Sequence, residues 1–268
     1  MTRGGAGGAD GVGARTVEVN GRSCRVWEKG AGEPVGFLAG IGGLGGWTPF
    51  LDRLAERRRV IVPSLPGFPG AQGHDLLDTQ LDWILAVQDL LEAAGLAGAD
   101  LVGSSVGAAL AADVAACGRG MVRRLVLIGP LGVFDEAEPI ADVWAQRPGD
   151  LPGMVCAEPA NFQAAVAAPE GEDAIEAQVL LLRAHEAAAR LLWPLSDTGL
   201  ARRLPRVRAR VMLVWGEADR VVPFGYASRF SELLRGETRI ERVPGAGHLA
   251  ELDAPDDVAG RIHAFLDS

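Results

Sequence analysis

The fold of this chain is indicated most clearly by GADLVGSSVGAALAADVAACGRG, residues 98–120. A short apolar run ending in Leu101-Val102 enters Gly103, two serines follow, and Gly107 opens an alanine-rich stretch. The apolar run predicts a buried strand and the alanine-rich stretch predicts a helix, so the two serines lie at a tight turn between them. In an α/β sheet this turn lies at the carboxyl edge, where ligands bind. We therefore expect a serine of this pair to face a functional site.

Ser105 is the serine that fits a Gly-x-Ser-x-Gly frame, since Gly103 and Gly107 lie two residues before and after it. Glycine is favoured at both positions because a Cβ atom there would crowd the adjoining strand and helix. The N–H groups at the start of the following helix, Val106 first, point toward negative charge that develops beside Ser105. A serine that only caps the helix is the alternative, and the pattern alone does not decide between them.

Strands and helices alternate on both sides of this turn. Strands are predicted at 16–19, 24–30, 34–40, 58–67, 99–104, 123–130, 210–216 and 238–245, and helices at 48–58, 78–96, 106–118, 226–236 and 255–267. This order predicts an α/β fold with a mostly parallel sheet covered by helices on both faces. The Asn20-Gly21 pair predicts a hairpin that adds antiparallel strands at one edge. In the helix at 78–96 we expect one buried face, made of Leu81, Ile84, Leu85, Val87, Leu90 and Leu91.

The alternation stops between residues 131 and 205, where the sequence predicts a mainly helical insertion with its clearest helix at 173–193. Residues 15–130 and 206–268 then form one core. Residues 1–14 are rich in glycine and lack an apolar segment, so we expect a disordered tail and no signal peptide.

Composition limits the classes of partner. The net charge of −9 argues against nucleic acid or an anionic membrane as a partner. The sequence contains no run of about 18 apolar residues, so no membrane-spanning helix is predicted. The spacing of Cys24, Cys117 and Cys156 suggests neither a disulfide framework nor a zinc site. We expect a cytoplasmic protein that binds a small molecule, with homo-oligomer formation left open.

A serine nucleophile requires a base and an acid that orients the base. Among the four histidines, His248 follows the last predicted strand in a glycine-rich loop, at the carboxyl edge. Asp219 follows the preceding strand and is preferred to Glu217 as the acid, while Asp135 and Glu136 are the fallback positions. The chain order Ser105, Asp219, His248 is the order expected for a catalytic triad of this topology.

With these residues in place, the sequence resembles the α/β-hydrolase superfamily from about residue 16 to the end. The motifs that carry the resemblance are GSSVG at 103–107, WGEADRVVP at 215–223 and GAGH at 245–248 followed by Asp253-Ala-Pro255. The stretch RRLVLIGPLGV after the predicted helix at 106–118 also resembles the sixth core strand of the family. The resemblance implies an eight-stranded sheet, a helical cap inserted at 131–205, and neither a metal nor an organic cofactor. It also sets aside the members of this fold that use an aspartate nucleophile.

The resemblance further implies an oxyanion hole made by the N–H groups of Ile41 and Val106. Family members of this type commonly carry His-Gly-x-Gly after the third strand, whereas this chain has Ala39-Gly40-Ile41-Gly42-Gly43. This departure keeps the backbone donors, whereas Ala39 lacks the imidazole that the family's histidine supplies.

The predicted function is hydrolysis of a carboxylic ester of a moderately large apolar substrate through an acyl-enzyme on Ser105. One alternative is hydrolysis of a carbon–carbon bond in diketone-type ring-cleavage products, which a buried cap arginine facing Ser105 would favour. Another is a small-ligand-binding member of the fold without catalysis. The residues expected to line the substrate pocket are Gly40, Gly42, Phe134, Trp144, Met154, Phe162, Leu191, Leu192 and Trp193.

Overall fold

The computed structural model describes residues 11–147, 149–168 and 171–268 of the chain. A single sheet of eight strands runs through these residues in the order β1-β2-β4-β3-β5-β6-β7-β8. The strands are β1 Gly13–Val19, β2 Arg22–Lys29, β3 Pro34–Leu38, β4 Arg59–Pro63, β5 Ala99–Ser104, β6 Val122–Ile128, β7 Arg210–Gly216 and β8 Thr238–Val243. Strand β2 is antiparallel to both of its neighbours and the other pairs are parallel. The predicted mostly parallel sheet with an antiparallel edge is confirmed.

Within the described residues, ten α-helices surround or follow this sheet. They are α1 Pro49–Ala55, α2 Gln80–Ala94, α3 Ser105–Cys117, α4 Leu151–Val155, α5 Pro159–Val166, α6 Ala174–Leu192, α7 Leu200–Arg203, α8 Gly225–Leu233, α9 Ala250–Asp253 and α10 Pro255–Leu266, and short 3₁₀ turns lie at His74–Leu76 and Leu204–Arg206. Two apolar clusters form the core: one contains side chains of α2, α3 and α8, and the other contains side chains of α1 and α10. Since strand side chains alternate between the two clusters, helices cover both faces of the sheet.

Local sequence determines several of these elements. At the start of α2 the Thr79 side chain accepts the backbone N–H of Asp82, whose carboxylate accepts the N–H of Thr79 in return. Such reciprocal capping satisfies donors that the first helical turn leaves unpaired. At the start of α1 a threonine also caps the helix, since the Thr48 hydroxyl accepts from the N–H of Leu51. Both helices therefore begin where a threonine supplies an acceptor.

The buried face of α2 matches the prediction at Ile84, Val87, Leu90 and Leu91 and differs from it at Leu81 and Leu85. Leu81 and Leu85 are 59% and 48% exposed, whereas Trp83 is buried. Helix α2 packs against α3 and strands β1 and β4, and these neighbours contact the side of the helix that carries Trp83, Val87 and Leu90. Apolar spacing alone wrongly predicts that Leu81 is buried, because the helix sequence does not tell on which side the neighbouring strands and helices pack.

At the amino terminus, residues 1–10 of the expected tail lie outside the described residues. Strand β1 begins at Gly13, and Gly13 and Ala14 are paired with Glu28 and Trp27 of β2, so these two residues belong to the sheet and not to a tail. Hairpin pairing extends the strand beyond the residues whose side chains predict it.

Between β6 and β7 the chain forms α4, α5, α6 and α7, in the region where the alternation of strands and helices stops. Buried residues of α5 and α6, among them Phe162, Ala184 and Ala187, belong to the same apolar cluster as α2 and α3. The insertion therefore packs on the core. No helix among the described residues has both the length and the apolar character needed to cross a bilayer.

Candidate active site

The turn from β5 into α3 holds Ser105 in a strained backbone conformation. Its φ angle is +51°, a region that residues with a side chain rarely adopt. A Cβ atom on Gly107 would lie 2.3 Å from the carbonyl oxygen of Leu38, and one on Gly103 would lie 2.5 Å from the carbonyl oxygen of Gly107. The two glycines therefore allow the strand and helix to approach closely enough to force this turn.

Ser105, His248 and Asp219 form one hydrogen-bonded chain. The Ser105 Oγ lies 2.8 Å from His248 Nε2, and His248 Nδ1 lies 3.0 Å from Asp219 Oδ2. The remaining oxygen of Asp219, Oδ1, accepts the N–H groups of Val221 and Val222 at 2.8 and 2.9 Å. These donors fix the carboxylate, which in turn can fix the orientation of the imidazole.

Parallel pairing brings these three side chains together. Ser105 follows β5, Asp219 follows β7 and His248 follows β8, and these strands all run in the same direction, so their carboxyl ends meet at one edge. The geometry brings together the three residues that the sequence singles out.

The loop that carries His248 is held by Asp253, five residues further along the chain. Asp253 Oδ2 accepts the N–H groups of Gly247 at 2.8 Å and Ala157 at 2.7 Å, and Oδ1 accepts from the Asn161 side chain at 2.9 Å. Ala157 and Asn161 belong to the insertion, so one carboxylate joins the histidine loop to the insertion. The Asp-Ala-Pro motif contains the signal for this residue, although its spacing does not reveal the partners.

The predicted oxyanion donors flank Ser105. Ile41 lies in the turn after β3 and Val106 is the second residue of α3. Neither N–H group donates a hydrogen bond to another described residue. A Cβ atom on Gly40 would lie 3.2 Å from the Cβ of Ser105, so the turn packs directly against the serine. The residues that carry these two N–H groups therefore adjoin Ser105 or the turn packed against it.

The insertion contacts the same turn. A Cβ atom on Gly42 would lie 3.1 Å from Leu181 Cδ1 of α6 and 3.2 Å from Phe162 Cζ of α5. Gly45 donates its N–H to Ala165 of α5 at 2.8 Å. Ser105 has 0% of its surface exposed, which places the hydroxyl in a closed interior. Phe162 therefore lies against the turn that follows β3.

Two of the other expected pocket residues lie elsewhere. Trp193 is 57% exposed and its indole donates to Asp142 at 3.2 Å, because α6 ends there at the protein surface. Phe134 lines a surface cavity with Arg229, on the side of the insertion that faces α8. Both positions differ from the prediction, since aromatic character alone does not tell an outer surface from an inner one.

The remaining expected pocket residues lie at the core. The residues involved are Leu191 and Leu192, which are buried, and Trp144 and Met154, which are partly buried against the same apolar cluster. The indole of Trp144 donates to the backbone carbonyl of His185 at 3.2 Å, which ties two parts of the insertion together.

The alternative acids, and the arginines of α6 that could bind a carboxylate, lie away from Ser105 or pair with other residues. Asp135 pairs with Arg229, and Glu217 pairs with Arg242 at 3.4 Å. Arg190 of α6 pairs with Asp78 at 3.0 Å, and the second arginine of that helix, Arg183, lines an exposed cavity. Within residues 11–147, 149–168 and 171–268 no group of three or more His, Cys, Asp and Glu side chains forms a metal site.

Sequence reasoning missed Glu251, a buried acid beside this site. The residue is 3% exposed and its Oε2 atom has no hydrogen-bond partner among the described residues. Burial raises the pKa of Glu251 from its ordinary value of 4.5 to about 7, and the nearby Ser104 hydroxyl and His248 offset this only in part. A glutamate three residues after the histidine carries no pattern that would indicate its burial.

Comparison with known proteins shows the family of this chain. A family model described as the alpha/beta hydrolase family matches residues 37–261, a range that includes all three residues of the hydrogen-bonded chain. The chain belongs to the alpha/beta hydrolase family. A 2-hydroxy-6-oxo-2,4-heptadienoate hydrolase of Pseudomonas putida is 26% identical, with 94% of this chain and 95% of the relative covered.

Other relatives have different printed activities. The dihydrolipoyllysine-residue acetyltransferase component of the acetoin cleaving system of Pseudomonas putida is 30% identical and covers 99% of this chain, while this chain covers 72% of that relative. Among solved structures, a meta-cleavage product hydrolase from Pseudomonas fluorescens matches with a TM-score of 0.75 and 17% identity, covering 94% of this chain and 97% of that one. At this identity the likeness establishes the alpha/beta hydrolase fold, as the sheet order also does.

Proposed function

We propose that this alpha/beta hydrolase cleaves its substrate through an acyl-enzyme on Ser105. The observation that carries the proposal is the hydrogen-bonded chain from Ser105 Oγ through His248 to Asp219, with distances of 2.8 and 3.0 Å. A serine hydroxyl is a weak nucleophile near neutral pH, and a base within hydrogen-bond reach is the arrangement that activates it.

The mechanism follows from the positions of the atoms. His248 Nε2 removes the hydroxyl proton as Ser105 Oγ attacks a carbonyl carbon, and Asp219 stabilises the imidazolium that forms. The N–H groups of Ile41 and Val106 stabilise the oxyanion, and loss of one such donor raises the barrier by about 3 kcal/mol in other hydrolases. His248 then protonates the leaving group and activates the water that releases the acyl group.

Ser105 is fully covered by other residues, so a substrate cannot reach it without a change in the protein. Because the serine has no exposed surface, a substrate reaches it when the residues that cover it move. We propose that residues 131–205 act as the cap, since Leu181 and Phe162 of this segment contact the turn that carries the oxyanion donors. Contacts of this kind also place apolar side chains beside the substrate.

The first substrate candidate is a carboxylic ester with an apolar acyl or alcohol part. The apolar side chains of Phe162 and Leu181 at the turn that carries Gly42 favour such a group. Neither arginine of α6 supports recognition of a carboxylate at Ser105, because Arg190 pairs with Asp78 and Arg183 lines an exposed cavity. A buried carboxylate without a cationic partner is costly, which argues for a neutral substrate.

The second candidate is hydrolysis of a carbon–carbon bond in a dienoate. The support is the similarity over almost the whole chain to a 2-hydroxy-6-oxo-2,4-heptadienoate hydrolase, and a relative from Comamonas testosteroni that is 28% identical is a 2-hydroxy-6-oxo-6-phenylhexa-2,4-dienoate hydrolase. The same hydroxyl, imidazole and oxyanion donors would serve this reaction, since the serine again attacks a carbonyl carbon.

A fluorophosphonate probe tests whether Ser105 is a nucleophile. We expect the protein to be labelled, Ser105→Ala to be unlabelled, and Ser104→Ala to remain labelled as the matched control. An unlabelled wild-type protein, or equal labelling of Ser105→Ala, would leave a non-catalytic ligand-binding protein as the better account.

The substrate class is then separated with two chromogenic assays. Nitrophenyl esters of graded acyl length test the ester candidate, and consumption of a 2-hydroxy-6-oxo-dienoate tests the carbon–carbon candidate. We expect Ser105→Ala to lower kcat by about 10⁶-fold on the true substrate. Turnover of the dienoate with inert esters would replace the first candidate with the second.

A further inference from the structure

A groove of about 510 Å³ lies at the amino-terminal edge of the sheet, opposite the edge that carries Ser105. Its walls come from the last turn of α3, the residues just before β6, the segment that leads into β7, and the loop between α8 and β8. Helix α3 begins at Ser105 and has 13 residues, so at 1.5 Å per residue the groove lies about 20 Å from the serine. The groove is therefore separate from the candidate active site.

The groove has an unusual charge for this protein. Five of the thirteen residues that line it are arginines, and none is acidic: the arginines are Arg119, Arg202, Arg206, Arg208 and Arg235. All five are exposed. The chain as a whole has a net charge of −9, so this edge carries a local positive field against an acidic background.

Most of these arginines lack a partner within the described part of the chain. Arg206 donates from Nε to the Ala116 carbonyl at 3.2 Å, whereas no ion pair or side-chain hydrogen bond joins the other four to a described residue. Neighbouring arginines at the same edge behave differently, since Arg203 pairs with Asp113 at 2.6 Å and Arg210 pairs with Glu237 at 3.2 Å. Four cationic side chains around one groove repel one another, and a bound anion would relieve that repulsion.

The side chains indicate the class of anion. Guanidinium groups form paired hydrogen bonds with phosphate oxygens, and several of them around one site suit a ligand with more than one phosphate group. The volume of the groove is in the range of sites for single small molecules. No aromatic side chain lines it, which disfavours stacking of the bases of a single-stranded nucleic acid.

A membrane surface fits less well than a free ligand. The apolar residues that line the groove are small or short, such as Ala115, Val122 and Pro205. None of the large exposed apolar side chains in the described ranges lines the groove, so it offers no side chain of this kind to insert between lipids. We propose that this groove is a binding site for a soluble small molecule that carries at least two phosphate groups, independent of the hydrolytic site.

Isothermal titration of the full chain with inorganic pyrophosphate tests this proposal. The double variant Arg119→Gln/Arg208→Gln removes two groove cations that make no contact needed for folding. The matched control Arg57→Gln/Arg242→Gln removes the same charge from exposed positions outside the groove. We expect the groove variant to weaken binding at least about 10-fold, the control to change it less than about 2-fold, and added salt to weaken it in all three proteins.

Activity on the preferred substrate should be unchanged in the groove variant, which separates this proposal from the hydrolytic one. Absence of pyrophosphate binding by the wild-type chain at about 1 mM, or equal weakening in the two double variants, would overturn the proposal. Vesicles containing phosphatidylglycerol form the second arm. Binding to these vesicles without binding to pyrophosphate would also overturn it, in favour of a lipid headgroup.

Discussion

Glu251 provides a stability prediction that depends on a single carboxyl group. The side chain is buried next to the turn that carries Ser105, and burial raises its pKa from 4.5 to about 7. We consider the substitution Glu251→Gln, which keeps the size of the side chain and removes its ionisation. Glu92→Gln, at an exposed position on α2, is the matched control.

The size of the effect follows from linkage between proton binding and folding. Because the folded protein binds this proton more tightly than the unfolded chain, the contribution of Glu251 is fully present below pH 4.5 and is lost as the pH rises toward 7. At 1.36 kcal/mol per pH unit the complete loss amounts to about 3 kcal/mol. Between pH 5 and pH 8 the part of this loss that can be measured is about 2.5 kcal/mol.

Urea unfolding at pH 5, 6, 7 and 8 measures the free energy of unfolding of the wild type and both variants. We expect the difference between Glu251→Gln and the wild type to move by about 2.5 kcal/mol in favour of the variant over this range, with most of the change complete by pH 7. The Glu92→Gln difference should stay constant within about 0.5 kcal/mol. A pH-independent difference for Glu251→Gln would refute the assignment of a buried neutral acid.

Three further predictions concern the turn and its supports. Gly107→Ala should destabilise the fold by about 2 kcal/mol or more in urea unfolding, because its Cβ would lie 2.3 Å from a backbone oxygen. The control Gly46→Ala, whose Cβ would meet no atom within 4 Å, should change stability by less than about 0.5 kcal/mol. Equal effects of the two substitutions would contradict this account. Asp253→Asn should lower stability by about 2 kcal/mol, since this carboxylate accepts several N–H donors; an unchanged urea midpoint would show that the donors find other acceptors. Asp219→Asn should lower kcat on the true substrate by about 10⁴-fold, and a rate near that of the wild type would remove Asp219 from the mechanism.

The longer strands and helices could be predicted closely from the sequence. Strand β7 has the bounds that its apolar run predicts, and the helix expected at 173–193 is observed as α6 at Ala174–Leu192. These predictions succeed because apolar runs, capping residues and glycines act over a few neighbouring residues. Short helices such as α4, α7 and α9 were not predicted, since four or five residues hold too little periodicity to recognise.

Part of the candidate site could also be predicted from the sequence, and part could not. Ser105, Asp219 and His248 were recognisable from their positions at the ends of predicted strands, because parallel pairing of strands implies a common edge. The pocket was predicted less well: Phe162 lies at the turn, while Trp193 faces solvent and Phe134 lines a different cavity. Nothing in an apolar side chain tells which side of the insertion it will face.

The sequence by itself determined the order of strands and helices, the tight turn at Ser105 and the identity of the three hydrogen-bonded residues, all of which depend on local pattern and chain order. Only the tertiary structure decided that Glu251 is buried, that Asp253 joins the histidine loop to the insertion, and that arginines from three separate segments share one groove. Burial and charge clustering arise from contacts between segments far apart in the chain, so no single segment contains the information that specifies them.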